Sequence, residues 1–434
     1  MRNPFWQTLL HCGKDAGMAS SPADPPAFAL GEREFVFMLA SLQALQALAI
    51  DSMLPALGEI SREMGVTDPN RRQLVVGVFL FGIGIGALLP GSLADRYGRR
   101  PVLFTCLAFY IVPMIACALV TDFDTLLVLR FIQAVGSGGL AVVPPAIIRD
   151  RFEGDRMARL QSMIAVIFMV VPMIAPTLGQ GIMHLLGWRW IFGMMGLLAA
   201  MVTVWAWLRL PETLRPEYRQ AIQPAVIARN MGQVVMTRGA IGYVLATAVL
   251  MSTTWGFINS SQQLVAEHFG AGDKFPLIFG CMAMCMATAN FTNSRIVERF
   301  GARRVSHTAV FFFLAVALLQ LWFATRPHQT IYQFVPVMAL NMGLVGFMGA
   351  NFASIALQPF ARTAGAAASV QSFLRTLIAA ILGAWIGQAY DGTARPLAVA
   401  LVLAAVLALA LVLFSERGHL FRRLHPRGTP RPEL

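Results

Sequence analysis

The chain has 434 residues, of which 57% are hydrophobic and only 13% are charged, and its formal net charge is +12. Apolar runs of about 20 residues recur from residue 34 to residue 414, which is typical of a helical membrane protein that crosses the bilayer many times. This composition disfavours a soluble core. The basic residues are spread over many short loops, so they indicate membrane topology and contact with anionic lipid headgroups rather than nucleic-acid binding.

Residues 1–33 precede the first apolar run and are a predicted cytoplasmic tail. The segment contains Lys14 and Asp15 and then the Pro-rich stretch SSPADPP, with no apolar segment followed by a small-residue cleavage site. A cleaved signal peptide is therefore not expected.

Twelve membrane-spanning helices are predicted from the apolar runs and from the charged, Gly and Pro breaks between them. We number them spans 1 to 12, and they cover residues 34–57, 72–93, 101–120, 124–148, 159–184, 189–209, 240–266, 275–297, 305–325, 330–357, 364–389 and 394–414. Each must be helical, because the hydrocarbon core holds no water to satisfy free backbone groups. The predicted fold class is an all-α integral membrane protein without strands.

A polar stretch at residues 210–239 divides the twelve spans six and six. We interpret it as a cytoplasmic linker between an N-terminal six-helix bundle, residues 34–209, and a C-terminal six-helix bundle, residues 240–414. An Arg-rich tail, residues 415–434, follows and is also predicted to be cytoplasmic. Two bundles of equal size indicate a duplicated unit.

The distribution of basic residues predicts the orientation of the spans. With both termini in the cytoplasm, 25 of the 34 basic residues lie on the inside, and only Arg130 and Arg375 lie within spans and away from their ends. The remaining seven, in outside loops, are Arg62, Arg71, Arg72, Arg189, Lys274, Arg326 and Arg395. This asymmetry follows the positive-inside rule.

Asp51 lies alone in the apolar run of span 1. An ionised carboxylate near the bilayer centre costs ~2.5–3.5 kcal/mol on insertion scales, so such a group is usually protonated, paired or facing water. Arg130 of span 4 has a similar predicted depth, roughly 10 Å below the outer surface, so the two side chains can meet or share a water. We interpret them as a proton-coupling pair. The alternatives are a structural ion pair, or a misplaced boundary that leaves Asp51 at the outer surface.

An internal repeat relates the two halves of the chain. The loop GSLADRYGRRPV, residues 91–102, matches SRIVERFGARRV, residues 294–305, at four positions, with similar residues at four more. The offset of 203 residues is about half the chain. In the first loop Gly98 permits a tight turn, Asp95 can accept hydrogen bonds from a helix N-terminus, and the arginines can bind headgroups or carboxylates such as Asp150.

We interpret the two repeated loops as a cytoplasmic gate that opens and closes as the halves rock against each other. The alternative is that the loops are only topology signals. The gate residues are Asp95, Arg96, Gly98, Arg99 and Arg100 in the first half, and Glu298, Arg299, Gly301 and Arg303 in the second.

Span 5 and the second half contribute further candidates. The span 5 residues Pro172, Pro176, Gly179 and Gly181 predict a bend and close packing, because Pro removes a backbone donor and Gly admits a neighbouring helix. Arg375 of span 11 is predicted to bind substrate or water, or alternatively to contact a carbonyl or Asp391. The other candidates for a substrate cavity are Met53, Phe257, Asn259, Gln263, Gln371 and Phe373. Met and Phe suit varied substrates, although most such residues face lipid or fill helix interfaces.

The loop GSLADRYGRRPV resembles the signature loop of the major facilitator superfamily. Further motifs resemble those of twelve-span drug:proton antiporters, in particular the Bcr/CflA type of bacterial multidrug exporter. They are IDSMLPAL (50–57), LVLRFIQAVGSGG (127–139), VPMIAPTLGQG (171–181), GWRWIF (187–192), LPETL (210–214) and ALQPFARTAGAAASVQSF (356–373). The chain departs from these motifs at Ala134, where Gly is common, and at Ala175 and Gln180, where Gly is usual.

The resemblance implies a major facilitator fold, in which the protein exports lipophilic drugs or toxic small molecules from the cytoplasm in exchange for protons. It also implies a hinge role for the span 5 motif and a location in the bacterial inner membrane. A monomer is expected. If Asp51 must lose its proton before or as a drug binds, proton entry and drug exit exclude each other. The alternatives are a proton-coupled uptake symporter of the same fold and a non-transport membrane protein.

Three other patterns are assigned no function. The GIGIG sequence at residues 82–86 lies inside span 2 with no strand before it, so it indicates helix packing rather than dinucleotide binding. The five cysteines are interpreted as small hydrophobic residues, and the seven histidines lack metal-ligand spacing. We therefore expect no enzyme activity, metal or cofactor, and the resemblance implies transport driven by the proton gradient.

Overall fold

The computed structural model describes residues 31–152, 154–214, 217, 219 and 224–421. It describes their side chains except at residues 154, 155, 158, 162, 165–169, 224, 226–228, 230, 298 and 361–366. Most of the predicted N-terminal tail, and the C-terminal tail after residue 421, therefore lie outside the described residues.

The described residues form helices at all twelve predicted spans and contain no strand, which confirms the predicted all-α class. The spans are Glu32–Glu63, Arg71–Gly86 with Pro90–Tyr97, Arg99–Leu119, Phe123–Arg151, Gly154–Leu186, Arg189–Arg209, Arg238–His268, Phe275–Phe300, Ala302–Ala324, Ile331–Leu357, Ala364–Gln388 and Arg395–Ser415. Among the described residues, ten helices are long and apolar enough to cross a membrane, and the bent pair in span 2 makes an eleventh. Span 5 contributes the shorter described apolar stretch Val170–Leu186.

Span 1 is longer than predicted and is broken in the middle. Its first helix, Glu32–Asp51, ends at the carboxylate, and a short 3₁₀ turn at Leu54–Ala56 leads into a second helix, Leu57–Glu63. Pro55 in the turn lacks a backbone N–H and cannot continue the α-helical pattern. The predicted end at residue 57 is corrected to Glu63, so Asp51 lies deeper in the span than the sequence indicated.

Span 2 is also broken, close to the repeated loop. Its two helices, Arg71–Gly86 and Pro90–Tyr97, meet at an angle of 41°. Pro90 begins the second helix, a position where its missing N–H costs nothing. The bend carries the end of span 2 toward Gly98, where the chain turns into span 3.

The two halves meet along two pairs of spans. Span 2 packs against span 11, and span 5 packs against span 8. Small residues permit the approach, since a Cβ at Gly84 of span 2 would meet the backbone of Leu377 in span 11. We refer to the end of the molecule that carries the loop 95–100 as the inner end and to the opposite end as the outer end, following the predicted topology.

The predicted linker contains a helix of its own. This helix, Pro224–Met236, packs on spans 7 and 11 of the second half. The linker thus contributes to the packing of the second half as well as joining the halves.

Candidate functional site

Asp51 is buried at the point where span 1 breaks. Its side chain is 5% exposed, and it is the last residue of the first helix of the span. The helix closes just beyond it, since the Ser52 amide and hydroxyl both donate to the carbonyl of Leu48, at 3.1 and 2.5 Å. The carboxyl group therefore lies at an irregular point inside the bundle and faces neither lipid nor open water.

Arg130, which lies on span 4, binds the end of the first helix of span 1. Its guanidinium is fully buried and donates to the carbonyl oxygen of Ala49 at 3.1 Å and to Oε1 of Gln133 at 2.8 Å. It also lies over the ring of Phe79, 4.1 Å from the ring centre. A helix that ends inside a protein leaves carbonyls without intrahelical partners, and a cation there offsets the negative end of the helix dipole. Arg130 therefore stabilises the break beside Asp51.

The direct pair that the sequence allowed is not formed in the part of the chain that the structure describes. Neither Asp51 nor Arg130 takes part in an ion pair there. The physical reason is that the carbonyl of Ala49, freed by the helix break, is the acceptor that Arg130 reaches. Arg130 is linked to Asp51 through the backbone of span 1, and the carboxyl group has no cationic partner among the described residues.

Span 5 packs directly against the break. A Cβ at Gly179 would collide with the carbonyl oxygen of Ser52, the residue after Asp51, whereas a Cβ at Gly181 would meet nothing within 4 Å. Span 5 continues as one helix through Pro172 and Pro176. Gly179 thus has a specific packing role at the site, which Gly181 lacks.

The first repeated loop is held together within the first half. Arg99 donates to both oxygens of Asp150 at the end of span 4, at 2.8 and 3.2 Å, and to Asp95 at 2.5 Å. Arg100 donates to the carbonyl of Trp207 at 2.7 Å, and the exposed Arg96 lies over the ring of Tyr97. The predicted contact between these arginines and Asp150 is present for Arg99.

Glu212, rather than Asp95, accepts from the helix N-terminus at this loop. Its carboxylate accepts from the backbone amides of Arg99 at 2.9 Å and Arg100 at 3.0 Å, the first residues of span 3. Gly98 has φ of +107°, and a Cβ there would also press on this carboxylate. The role given to Asp95 is corrected because Asp95 lies on the preceding helix and accepts from Arg99 instead.

The second repeated loop has an acid in the corresponding place. Arg303 donates to Glu416 at 2.7 Å, just past the end of span 12, and Tyr243 donates to the same oxygen at 2.7 Å. Burial raises the pKa of the Glu416 carboxyl, but the hydrogen bonds from Tyr243 and Arg303 and the nearby positive charge together outweigh burial, so that the pKa lies below its usual value. Glu416 follows Glu212 by 204 residues, almost the offset of the repeat, and this spacing is a sequence signal that could have related the two acids.

The other residues of the second loop contribute less. Gly301 has φ of +86°, like its counterpart Gly98. Arg299 is exposed and lies over the ring of Phe300. The side chain of Glu298 lies outside the described residues.

A network across the outer end was not predicted from the sequence. We refer to it as the outer clamp, and its members are Asn70, Arg72 and Gln73 of the first half and Gln263, Glu267, Gln388 and Tyr390 of the second. Arg72 pairs with Glu267 at 2.5 Å, and Gln73 donates to Gln263. Asn70 donates to the carbonyls of Gln388 at 3.1 Å and Tyr390 at 2.9 Å. Polar contacts therefore join the halves at the outer end.

The described polar contacts of the inner loops stay within one half. Arg99 bonds to Asp95 and Asp150 of its own half, and Arg303 bonds to Glu416 of its own half. A molecule joined by polar contacts at the outer end, with each inner loop bonded only to its own half, has the arrangement of an inward-facing transporter.

The predicted cavity residues are dispersed. Gln263 belongs to the outer clamp, while Asn259 lies between Gly77 of span 2 and Gly387 of span 11. Phe257 is fully buried against Phe279 and Phe334 inside the second half, so it is not exposed to a cavity in this conformation.

The remaining candidates divide between buried and partly exposed positions. Met53 is buried, and Gln371 donates to the carbonyl of Ala353 in span 10, at 3.4 Å. Phe373 and Arg375 are half-buried. Arg375 has no hydrogen bond or ion pair to another described residue, and its Nε is buried without a partner. Asp391 instead accepts from Thr393, so the alternative contact with Arg375 is not made.

The family profile of the Major Facilitator Superfamily matches residues 39–384, from the first span into the eleventh. The chain belongs to the Major Facilitator Superfamily. It is therefore a multi-pass membrane transporter of small substrates and not an enzyme, as the resemblance of its motifs implied.

Similar proteins match this chain over nearly their whole length. A bicyclomycin resistance protein homologue of Haemophilus influenzae is 25% identical over 399 residues, 90% of this chain and 98% of the relative. The multidrug resistance protein MdtL of Klebsiella pneumoniae subsp. pneumoniae is 29% identical over 383 residues, 87% of this chain and 95% of the relative. A crystal structure of a bacterial homologue of the human lysosomal transporter Spinster, inward-facing and occupied, superposes with a TM-score of 0.68 at 14% identity, over 88% of this chain and 96% of that one.

Proposed function

We propose that this protein exports lipophilic small molecules from the bacterial cytoplasm in exchange for protons, and that Asp51 carries the proton. The observation that carries the proposal is the buried carboxyl of Asp51 at the break of span 1, with no cationic partner among the described residues. The names of the relatives, bicyclomycin resistance and multidrug resistance, support drugs as the substrate class.

The chemistry of exchange follows from the cost of a charge at this depth. An ionised carboxylate inside the bundle needs a cation, water or a proton to be stable. Exchange requires that Asp51 loses its proton before or as a substrate binds, so that proton entry and substrate exit exclude each other. Each proton that enters the cell releases about 2.3 kcal/mol per 100 mV of membrane potential, besides any pH difference.

The structure supports a route by which the two halves alternate. The outer clamp joins the halves in this conformation, so its bonds must break before the substrate leaves toward the outside. We assign the termini and the repeated loops to the cytoplasm and the protein to the inner membrane, where a monomer suffices because both halves lie on one chain.

Efflux from intact cells tests the proposal. Cells that express the wild type should accumulate less of a lipophilic dye or antibiotic than control cells, and an uncoupler should abolish the difference. Asp51→Asn should lose uphill export, because the amide cannot carry a proton. Asp273→Asn, at an exposed carboxylate near the outer end, is the matched control and should export normally.

Two outcomes contradict the proposal. Gradient-driven export by Asp51→Asn at the wild-type rate would show that Asp51 does not couple export to the proton gradient. Greater accumulation in cells with the wild type than in control cells would indicate uptake instead of export.

A further inference from the structure

We propose that an apolar groove near the inner end of spans 8, 9 and 10 binds the acyl chain of an anionic phospholipid, with the phosphate at Arg304. The groove has a volume of about 470 Å³, and its walls include Phe300 of span 8, Thr308 and Phe312 of span 9, and Phe347 of span 10. Its volume falls within the range of about 300–1,000 Å³ that is usual for sites that hold small organic molecules.

The groove opens on the outside of the bundle. Phe300 is 47% exposed and Phe312 is 61% exposed, although both are large apolar side chains. Neither Asp51 nor any member of the outer clamp lines the groove. In a membrane protein such a surface faces hydrocarbon, so a lipid chain is the occupant that matches its chemistry.

Arg304 gives the groove a cationic end. Its Nε donates to the carbonyl of Phe421 at 3.1 Å, and it makes no ion pair with another described residue. The exposed Arg299 lies over the ring of Phe300, which lines the groove, and the exposed Arg295 is one turn earlier in span 8. Glu298 is the one acid between them in the sequence, so basic residues outnumber acidic residues here and the rim complements a phosphate.

The chain after span 12 forms a fixed wall of the groove. The amide of Phe421 donates to Nδ1 of His307 at 3.0 Å, and its ring stacks on Phe311 with 6.2 Å between ring centres. His307 is 1% exposed and is bound on its other side by Tyr243.

The predicted topology favours an anionic lipid over a zwitterionic one. The groove lies at the inner end, and the cytoplasmic leaflet attracts basic segments through its anionic headgroups. A positive rim at the mouth of an apolar groove can hold both parts of one phospholipid, the chain in the groove and the phosphate on Arg304. This inference does not depend on the direction of transport or on Asp51.

Lipid binding by the purified full-length protein tests the proposal. Native mass spectrometry and thermal unfolding would be compared with added phosphatidylglycerol and phosphatidylcholine of the same chain length. The wild type should prefer phosphatidylglycerol by about fivefold or more, the effect of one cation near an anionic headgroup. Arg304→Gln should remove this preference, and Arg304→Lys should retain it. Arg326→Gln, at the outer end of the same span, should behave as the wild type.

A second variant separates lipid binding from the anchoring of Phe421. Thr308→Trp fills the groove from an exposed position and leaves Arg304 in place. It should reduce the amount of phosphatidylglycerol retained while export activity stays at the wild-type level. Equal retention of the two lipids by the wild type, or unchanged phosphatidylglycerol retention in both Arg304→Gln and Thr308→Trp, overturns the proposal.

Discussion

Single side chains determine how span 1 can break inside a membrane. The break frees backbone carbonyls, and a buried cation, Arg130, takes one of them at Ala49. A free carbonyl in hydrocarbon without such a partner would cost several kcal/mol, on the order given by transfer measurements. The sequence identified Asp51 and Arg130 as exceptional because both are charged residues in apolar runs. It could not show that a carbonyl, and not the carboxylate, is the partner of Arg130.

Gly179 and Gly181 provide a matched pair at the residue scale. Gly179→Ala places a methyl group against the carbonyl of Ser52, so we expect a loss of about 1–3 kcal/mol of stability and impaired uphill export. Gly181→Ala meets open space and should be neutral or stabilising by up to about 1 kcal/mol, because Ala favours the helix.

Thermal unfolding of the purified variants and export from cells measure this contrast. Equal loss in the two variants would show that the contact with Ser52 does not distinguish the glycines. Normal export by a stable Gly179→Ala variant would show that the packing of span 5 against the break beside Asp51 is not required for export.

At the scale of elements, each half fixes the start of its third helix with an acid that follows its sixth. Glu212 accepts from the first amides of span 3, and Glu416 accepts from Arg303 at the start of span 9. The loop repeat indicated that these places are equivalent. The acids themselves were found only in the structure, because the contact joins residues more than 100 positions apart, and no local pattern encodes it.

The depressed pKa of Glu416 predicts a pH dependence of stability. A carboxyl whose folded pKa lies below its unfolded value of about 4.5 contributes stability above that value, and this stability is lost as the pH falls through the folded pKa. Glu416→Gln should therefore unfold more easily than the wild type at neutral pH, by about 1–3 kcal/mol for the lost bonds to a charged group.

The difference in stability between Glu416→Gln and the wild type should disappear in acid, below the folded pKa of Glu416. Thermal unfolding at neutral and acidic pH measures it, with Glu217→Gln at an exposed linker position as the control. A gap that persists unchanged in acid would mean that the charge of Glu416 does not stabilise the inner end.

Span boundaries show where sequence reasoning works at this scale. The predicted bounds of span 6, residues 189–209, agree with the observed Arg189–Arg209, because an arginine ends the apolar run on each side. The predicted span 1 ends at residue 57, six residues too early, because the polar residues around the buried Ile60 interrupt the apolar run. Periodicity and hydropathy thus place the helices, while breaks within them depend on tertiary partners.

The whole molecule is held in one of its conformations by the outer clamp. Its bonds join segments near residue 70 to segments near residues 265 and 390. The sequence could not predict this network, because hydropathy describes each span alone. It carries no information about whether the halves meet at the inner or the outer end. The two-half organisation, by contrast, follows from the repeat and from the position of the polar linker.

Loss of the pair between Arg72 and Glu267 should shift the molecule toward an outward-open form. The pair is partly buried, so Arg72→Gln should favour opening by about 1 kcal/mol, or roughly fivefold in population. Arg71→Gln is the control, because Arg71 pairs with Asp124 of its own half.

Distances between spin labels at Thr67→Cys and Asp273→Cys, on a background without other cysteines, report the opening of the outer end. Longer distances in Arg72→Gln, and unchanged distances in Arg71→Gln, are expected. An outer end that stays equally closed in both would show that Arg72 does not hold the halves together.

Exchange of protons for substrate in reconstituted vesicles tests the central claim most directly. Purified protein is placed in liposomes with an impermeant pH dye inside, and a compound that the wild type exports from cells is added on one side. We predict that wild-type vesicles move protons opposite to the compound, while Asp51→Asn binds the compound and gives no proton signal. A full proton signal from Asp51→Asn, or substrate movement by the wild type without protons, would contradict the account.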